Sequence, residues 1–559
     1  MKKKNLTWWI IGFLGFASFV MGVWGLRALY YQNNIDYHGS DLFFTAMKLF
    51  AMESNDDFKL PILLDIARWM APLTLIAAAT ITILHFIRRE FRDFFLFRKK
   101  GHIIIASLNE RSRYLIKDLL KQGEKVVIIS DVEDPHRYDP VEKLGAAIVE
   151  GDINSKTFLK QIAAHKAKAF VFLDENDDDN ISKAMSISHF LVDKSKVDNQ
   201  TLYTHVADGI KLNELNELQF LKQIKDVGKG NYNFRFIASN ERASRMIFNK
   251  YSPDVFKPVN VDSEQVHVAI IGSGKLAQSM VIRLARIGHY ANLKKVKVTI
   301  FHDNEKRSAR LYQGIRSLKQ LIDIEDVFCE DLVLFNEENF EKIHHQQAFS
   351  VAYLMCENDE TAISVLNRLS RIKSKDQLDT VLTLNNPEGV LSKWYNVKEL
   401  NKLNIHKFNV IEESFTHEAL LSEELDMIAL KINAGYHGIE DAREAQQLWY
   451  NLDSVGQDAN REPADHIYVK LRALNRDVDR AIEQIPTLEE SQPEVMELLA
   501  EMEHKRWYAH KVLSGYQYGP VSSVEDKTNE YLIPYADLDE ATKKYDRDII
   551  TAIPKLMKN

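Results

Sequence analysis

Val266–Gly288 reads VHVAIIGSGKLAQSMVIRLARIG. A short apolar run, a glycine pair and then apolar residues at helical spacing predict strand, tight turn and helix. Gly272 and Gly274 allow a sharp turn and close approach of the backbone to a phosphate, and Ala277 lets the helix pack tightly on the strand. The amides at the start of such a helix form an anion site. The next apolar run, VKVTIFHD, ends at Asp303, where a carboxylate would accept hydrogen bonds from ribose hydroxyls. The connection is longer than the usual ~20 residues because ANLKKVK extends it. Gly272, Gly274, Lys275, Ala277 and Asp303 are therefore the candidate nucleotide contacts.

The pattern repeats on either side of this stretch. Downstream come VFCEDL (Val327–Leu332) and AYLMCENDETA (Ala352–Ala362). Upstream come HIIIA (His102–Ala106), a helix-like SRYLIKDLLKQG, VVIISD (Val126–Asp131), AAIVEGD (Ala146–Asp152) and AFVFLDENDDDN (Ala169–Asn180). Short apolar runs alternating with amphipathic helices predict parallel sheets covered on both faces. The two first strands, at His102 and Val266, start about 165 residues apart, which reads as an internal duplication. In the first copy the glycine positions hold Ser107, Asn109 and Ser112. Side chains there obstruct a dinucleotide, so the first copy is expected to be structural or interfacial.

On the strand His102–Ile105, the acid Asp131, Gly151-Asp152 and the Asp-rich turn leading to Asn180, the first copy resembles the regulator-of-potassium-conductance (RCK, Trk-type NAD-binding) domain. The resemblance covers roughly residues 101–250. It implies tandem Rossmann-type regulatory units with NAD or another adenine nucleotide as cofactor.

The first hundred residues are different. Leu6–Leu26 carries no charge, and neither does Trp69–Ile87. Each approaches the roughly 20 apolar residues that cross a bilayer as a helix. Lys2–Lys4 precede the first stretch, and Arg88, Arg89, Arg92, Arg98, Lys99 and Lys100 follow the second. The excess of positive charge on one side places both termini in the cytoplasm. A signal peptide is the alternative for the first stretch, but no A-x-A-like cleavage site follows it. Gly15, Ser18 and Gly22, with Ala77–Thr80, supply small faces for helix contact and favour an oligomer.

Between the spans, Asp41–Met52 (DLFFTAMKLFAM) is too apolar for a solvated loop and too short to span. It reads either as a re-entrant pore helix or as an amphipathic helix at the interface. Glu53, Asp56 and Asp57 follow; they are candidate pore acids that would attract cations as a ring, or else a solvated acidic loop. No TVGYG-like filter is present. The arrangement of span, short helix and span resembles two-span potassium channels in outline.

From about Glu413 the strands stop. DSVGQDANREPADHIYVKLRALN (Asp453–Asn475), LAEMEHKRWYAHKVLSGYQYG (Leu499–Gly519) and IPYADLDEATKKYDRDIITAIP (Ile533–Pro554) resemble the RyR domain, a small helical module. His504, Arg506, Trp507, Tyr516 and Tyr518 cluster there. Aromatic planes beside an arginine could stack a purine and hold a phosphate, or the same residues could form the module's core.

The formal net charge of -8 argues against a nucleic-acid partner. The two cysteines, Cys329 and Cys356, offer neither a disulfide framework nor metal spacing. No proton donor beside a nicotinamide can be identified, so an enzyme is not expected. The expectation is a membrane two-helix hairpin plus α/β: residues 1–98 with spans at about 6–26 and 69–87, Rossmann-like domains at 101–250 and 262–412, and a helical RyR-like domain at 413–559. Functionally this implies a subunit of a ligand-gated cation channel for monovalent cations, potassium among them. It would be a homotetramer in the lipid bilayer of a bacterial inner membrane, regulated by a nucleotide ligand. The alternatives are a membrane-anchored nucleotide-sensing regulator of a transporter, or a nucleotide-activated membrane effector in bacterial defence.

Overall fold

The computed structural model describes residues 2–53, 58–98, 100–130, 138–192, 200–207, 232–307, 315, 317–372, 377–386, 389, 403–421 and 424–558, with side chains throughout except at 2–7, 84–98 and 454. Internal contacts divide the chain into residues 1–99 and 100–559.

The first unit is helical: α1 (Lys2–Gln32), α2 (Gly39–Lys48) and α3 (Ile62–Arg98). Trp8–Gln32 and Ile62–Ile83 are each long and apolar enough to cross a membrane. Only 22% of each window is buried within the fold. Trp9, Phe13, Phe16, Trp24, Leu73 and Leu75 point outward, an apolar surface larger than a soluble monomer usually leaves bare. Helix α3 starts seven residues before Trp69. Asp65 and Arg68, charges that shorten the apolar stretch, pair with each other at 3.0 Å, one turn apart.

Small residues set the α1–α3 contact. A β-carbon on Gly25 would lie 2.6 Å from the Leu64 backbone nitrogen, and Ala67 and Ala71 are fully buried. Ala79 and Thr80, expected at a helix contact, face outward within this unit. Helix α2 and the turn after it pack Leu42, Ala46 and Leu49 inward, with Gly22 admitting Leu49 and Ala46, while Phe43, Phe44 and Met47 stay exposed. Met52, at φ +64°, ends the segment. A helix of ten residues is too short to span on its own.

The second unit holds two six-stranded sheets, parallel throughout. The first comprises β1 (Ile103–Ile105), β2 (Val126–Ser130), β3 (Ala147–Glu150), β4 (Ala169–Phe172), β5 (Gln200–Val206) and β6 (Tyr232–Ala238), in the order β3-β2-β1-β4-β5-β6. The second comprises β7 (His267–Ile271), β8 (Lys297–His302), β9 (Asp323–Phe328), β10 (Val351–Leu354), β11 (Leu378–Leu384) and β12 (Leu403–Asn409), in the order β12-β11-β10-β7-β8-β9. Both orders are the doubly wound 3-2-1-4-5-6 arrangement. Every residue of β1, β2, β4, β7 and β10 is buried, as expected for strands covered on both faces. The duplication extends to single atoms. Asp177, opening the helix after β4, accepts from the Ala207 amide at 2.9 Å; Asp359, opening the helix after β10, accepts from Asn385 and Asn386 at 2.7 and 3.0 Å.

The two halves are laced together. Helix Ser239–Tyr251, following β6, contributes Ala243, Ile247 and Phe248 to the core of the second sheet. In return, after β12, Phe415 and Leu420 bury against Leu115 and Ile116 of the first. The C-terminal helices are likewise no separate lobe. Ile467, Leu471 and Met502 lie in one core with Val281 and Leu284 beneath the glycine turn. Charges cross the same boundary: Arg283 reaches Asp465 at 3.2 Å, Arg286 reaches Asp458 at 3.2 Å, and Arg245 is clamped between Asp426 and Asp465.

Candidate nucleotide site

At the carboxyl end of β7 the backbone turns through Gly272 at φ +125°, a region side chains rarely adopt, and a β-carbon there would overlap the Met355 main-chain carbonyl. Gly274 is the N-cap of helix Lys275–Ile287 and supplies no side-chain cap. The first amides of that helix have no intrahelical partner, so they face the turn as an anion site. Ala277 is 2% exposed beneath it, and Lys275 is exposed at its rim. Asp303 stands exposed one residue past β8. The five sequence-predicted positions thus gather at the strand-order reversal between β7 and β10, where doubly wound sheets bind their ligands. The glycine cradle, the uncapped helix end and the carboxylate suit the phosphate and ribose of a nucleotide.

Two residues complete this mouth. Glu357, three residues past β10, lays its side chain over Gly274; a β-carbon on Gly274 would sit 2.9 Å from its Cγ. Arg307 holds the Glu357 carboxylate at 2.5 Å. The Glu357 hydrogen bond, with the charges of Glu357 and Asp303, raises the Arg307 pKa above its ordinary value. Neither residue stands out in the sequence, because each sits in a charged stretch and 50 positions separate them.

The first turn is closed by its own side chains. Asn109 Oδ1 accepts from the Ser112 amide at 3.0 Å, the Asn109 amide donates to Ser112 Oγ at 2.8 Å, and Asn109 Nδ2 donates to the Leu173 carbonyl at 2.5 Å. The cap takes up the Ser112 and Asn109 amides, two of the groups an anion would otherwise meet. Asp131 lies outside the described residues. Nearby His205 is fully buried, and desolvation first, then Arg111 and Lys275, push its pKa down to about 3.

Cys356 sits against the Ile271 carbonyl at 3.8 Å, and burial pushes its thiol up to about 12, a core residue's environment. Among the described residues no His, Cys, Asp and Glu group is arranged to hold a metal ion.

The five aromatic and basic residues of the C-terminal module divide. His504 Nε2 lies 2.8 Å from the Ile533 carbonyl, and Arg506 donates to Glu503 at 2.5 and 3.1 Å; both are under 5% exposed. Trp507 and Tyr516 are half-buried around Lys511, whose ammonium lies 6.0 and 4.6 Å from their rings. Tyr518 points outward. Of the candidate pore acids, Glu53 is exposed and pairs with Lys48 at 3.3 Å, while Asp56 and Asp57 lie outside the described residues.

Residues 103–203 match the TrkA-N domain family and residues 482–559 the RyR domain family. The second match begins after the Asp453–Asn475 phrase, which falls outside it. Among solved structures, the GsuK channel bound to NAD is similar at 12% identity over 74% of this chain and 84% of that one, with a TM-score of 0.37. GsuK bound to ADP is similar at 12% identity, covering 73% and 94%, with a TM-score of 0.38. A dipicolinate synthase from Bacillus halodurans gives 11%, 56%, 91% and 0.20 in the same order. Superpositions this loose say nothing of function. No curated protein matches. The chain therefore carries two Rossmann-like sheets, the first similar to TrkA-N domains, between an N-terminal pair of apolar helices and a C-terminal helical region that ends in a match to the RyR domain.

Proposed function

We propose that this protein is a subunit of a nucleotide-gated cation channel, with an adenine nucleotide bound at the Gly272–Gly274 turn as its gating ligand. The observation that carries the reading is the uncapped glycine turn with Asp303 at the end of the adjacent strand, in a chain that also holds two apolar helices with the short helix α2 packed on them. A lone anchor has no need of α2. In this reading α1 and α3 cross a bacterial inner membrane with both termini in the cytoplasm, and symmetric copies, four in a tetramer, bring Glu53, Asp56 and Asp57 around a pore for monovalent cations. A ligand drives opening through its different affinities for two arrangements of the tandem sheets. Catalysis plays no part.

Reconstitution in liposomes tests this directly. Cation flux should appear with NAD or ADP and be absent without them. It should vanish in Gly274→Val, whose side chain fills the space over the turn through which a phosphate reaches the backbone. Nucleotide binding without flux would reduce the protein to a membrane-anchored sensor, and flux indifferent to Gly274→Val would move the ligand elsewhere.

A further inference from the structure

We infer that Arg307 is a phosphate-binding residue of this site and that Glu357 is its internal substitute for the ligand's phosphate. The inference rests on the nucleotide reading above and adds to it the group that answers the phosphate charge. Three features place Arg307 there. Its guanidinium meets the Glu357 carboxylate at 2.5 Å, and that same side chain packs over Gly274, with Oε1 3.3 Å from where a β-carbon would stand. An anionic group held by a guanidinium thus already lies over Gly274, the N-cap of the uncapped helix. Asp303, the ribose-side carboxylate, lies only four residues before Arg307, at the carboxyl end of the neighbouring strand, so the arginine issues from the same edge of the sheet. Finally, both side chains can move: Arg307 is 40% and Glu357 58% exposed.

A guanidinium holds carboxylate and phosphate through the same two-pronged geometry. A phosphate arriving over Gly274 therefore takes Arg307 from Glu357, and the displaced carboxylate turns to solvent. No bond is made or broken. The exchange selects ligands by phosphate: a nucleoside alone cannot compete for the arginine, whereas a nucleoside diphosphate, or the pyrophosphate of a dinucleotide, can. Since every binding event must displace Glu357, that residue weakens the ligand it resembles.

The test is calorimetric titration of the full chain in detergent micelles with ADP, NAD, NADP and adenosine. Glu357→Gln removes the competing charge and should tighten ADP and NAD about tenfold, about 1.4 kcal/mol, leaving adenosine unchanged. Arg307→Gln should weaken ADP and NAD by a similar factor, again without effect on adenosine. Melting temperature without ligand reports folding, and both positions are exposed enough to tolerate the change. ADP and NAD affinities within twofold of the parent in both variants would overturn the inference while leaving the nucleotide reading intact. An Arg307→Gln loss confined to NADP would also overturn it, by assigning the arginine to a 2′-phosphate. If the parent and Glu357→Gln bound none of the four, both proposals would fall together.

Discussion

Lys470 and Glu503 are both fully buried, with Lys470 Nζ 2.5 Å from Glu503 Oε2. The other Glu503 oxygen takes two hydrogen bonds from Arg506, and His466 Nδ1 lies 3.8 Å from Oε2. Desolvation lowers the Lys470 pKa even with this carboxylate beside it. Replacing Glu503 by Gln keeps the shape and removes the charge, which leaves Lys470 buried without its anion. Breaking a buried pair from one side costs about 3–5 kcal/mol. Neutralising a lysine from its ordinary pKa to pH 7 costs about 5 kcal/mol, an upper bound on the same penalty. Lys470→Met is far cheaper, about 1–2 kcal/mol, since Glu503 keeps the Arg506 bonds. The double variant should recover the part of the Glu503→Gln loss that comes from Lys470, while Arg506 keeps the Glu462 carboxylate at 3.7 Å.

The sign with pH follows from protons bound. In Glu503→Gln the folded lysine gives up its proton below the unfolded value of about 10.4, so the unfolded state binds more protons across that window and stability rises with pH. Urea unfolding of the full chain in micelles at pH 7 and pH 9 measures both effects. A Glu503→Gln deficit under about 1 kcal/mol, or one unchanged between the two pH values, would refute the reasoning.

Two other perturbations probe different layers. Gly25→Val drives a side chain into the Leu64 backbone, which cannot rotate aside, and should weaken the α1–α3 contact by about 1–3 kcal/mol in micelle melting. Gly12→Val, with nothing within 4 Å, should leave it unchanged. His205, held neutral down to about 3, makes the folded chain bind fewer protons than the unfolded one below pH 6.5. Stability should therefore fall on acidification through that window, and His205→Gln should lack this component in acid-unfolding curves; identical slopes would contradict the assignment.

The parallel-sheet class and both apolar helices were legible from periodicity alone, because a buried parallel strand must be continuously apolar and a membrane span must be long. The Gly272–Ala277 turn was legible for a related reason: its residues are adjacent in the chain, and their chemistry depends on the absence of a side chain. Likewise Ser107, Asn109 and Ser112 announced a turn unlike the second, although the capping that closes it appears only in the folded chain.

What joins distant segments was not legible. The 412/413 boundary expected from the end of the strand pattern falls inside helix Val410–Ser414, and Phe415 and Leu420 beyond it belong to the first sheet's core. For His504 and Arg506 the sequence left ligand and core readings open, because isolated polar residues in a helix carry no mark of burial; the structure buries them against Ile533, Glu503 and Glu462. Arg307 and Glu357 are the same case reversed: they are ordinary surface charges until two loops at the carboxyl edge of one sheet bring them together. Local sequence determined the elements and the glycine turn, because those depend on neighbours in the chain. Charge pairing and burial were decided by tertiary structure alone, because each depends on the distance to residues that the chain order leaves far apart.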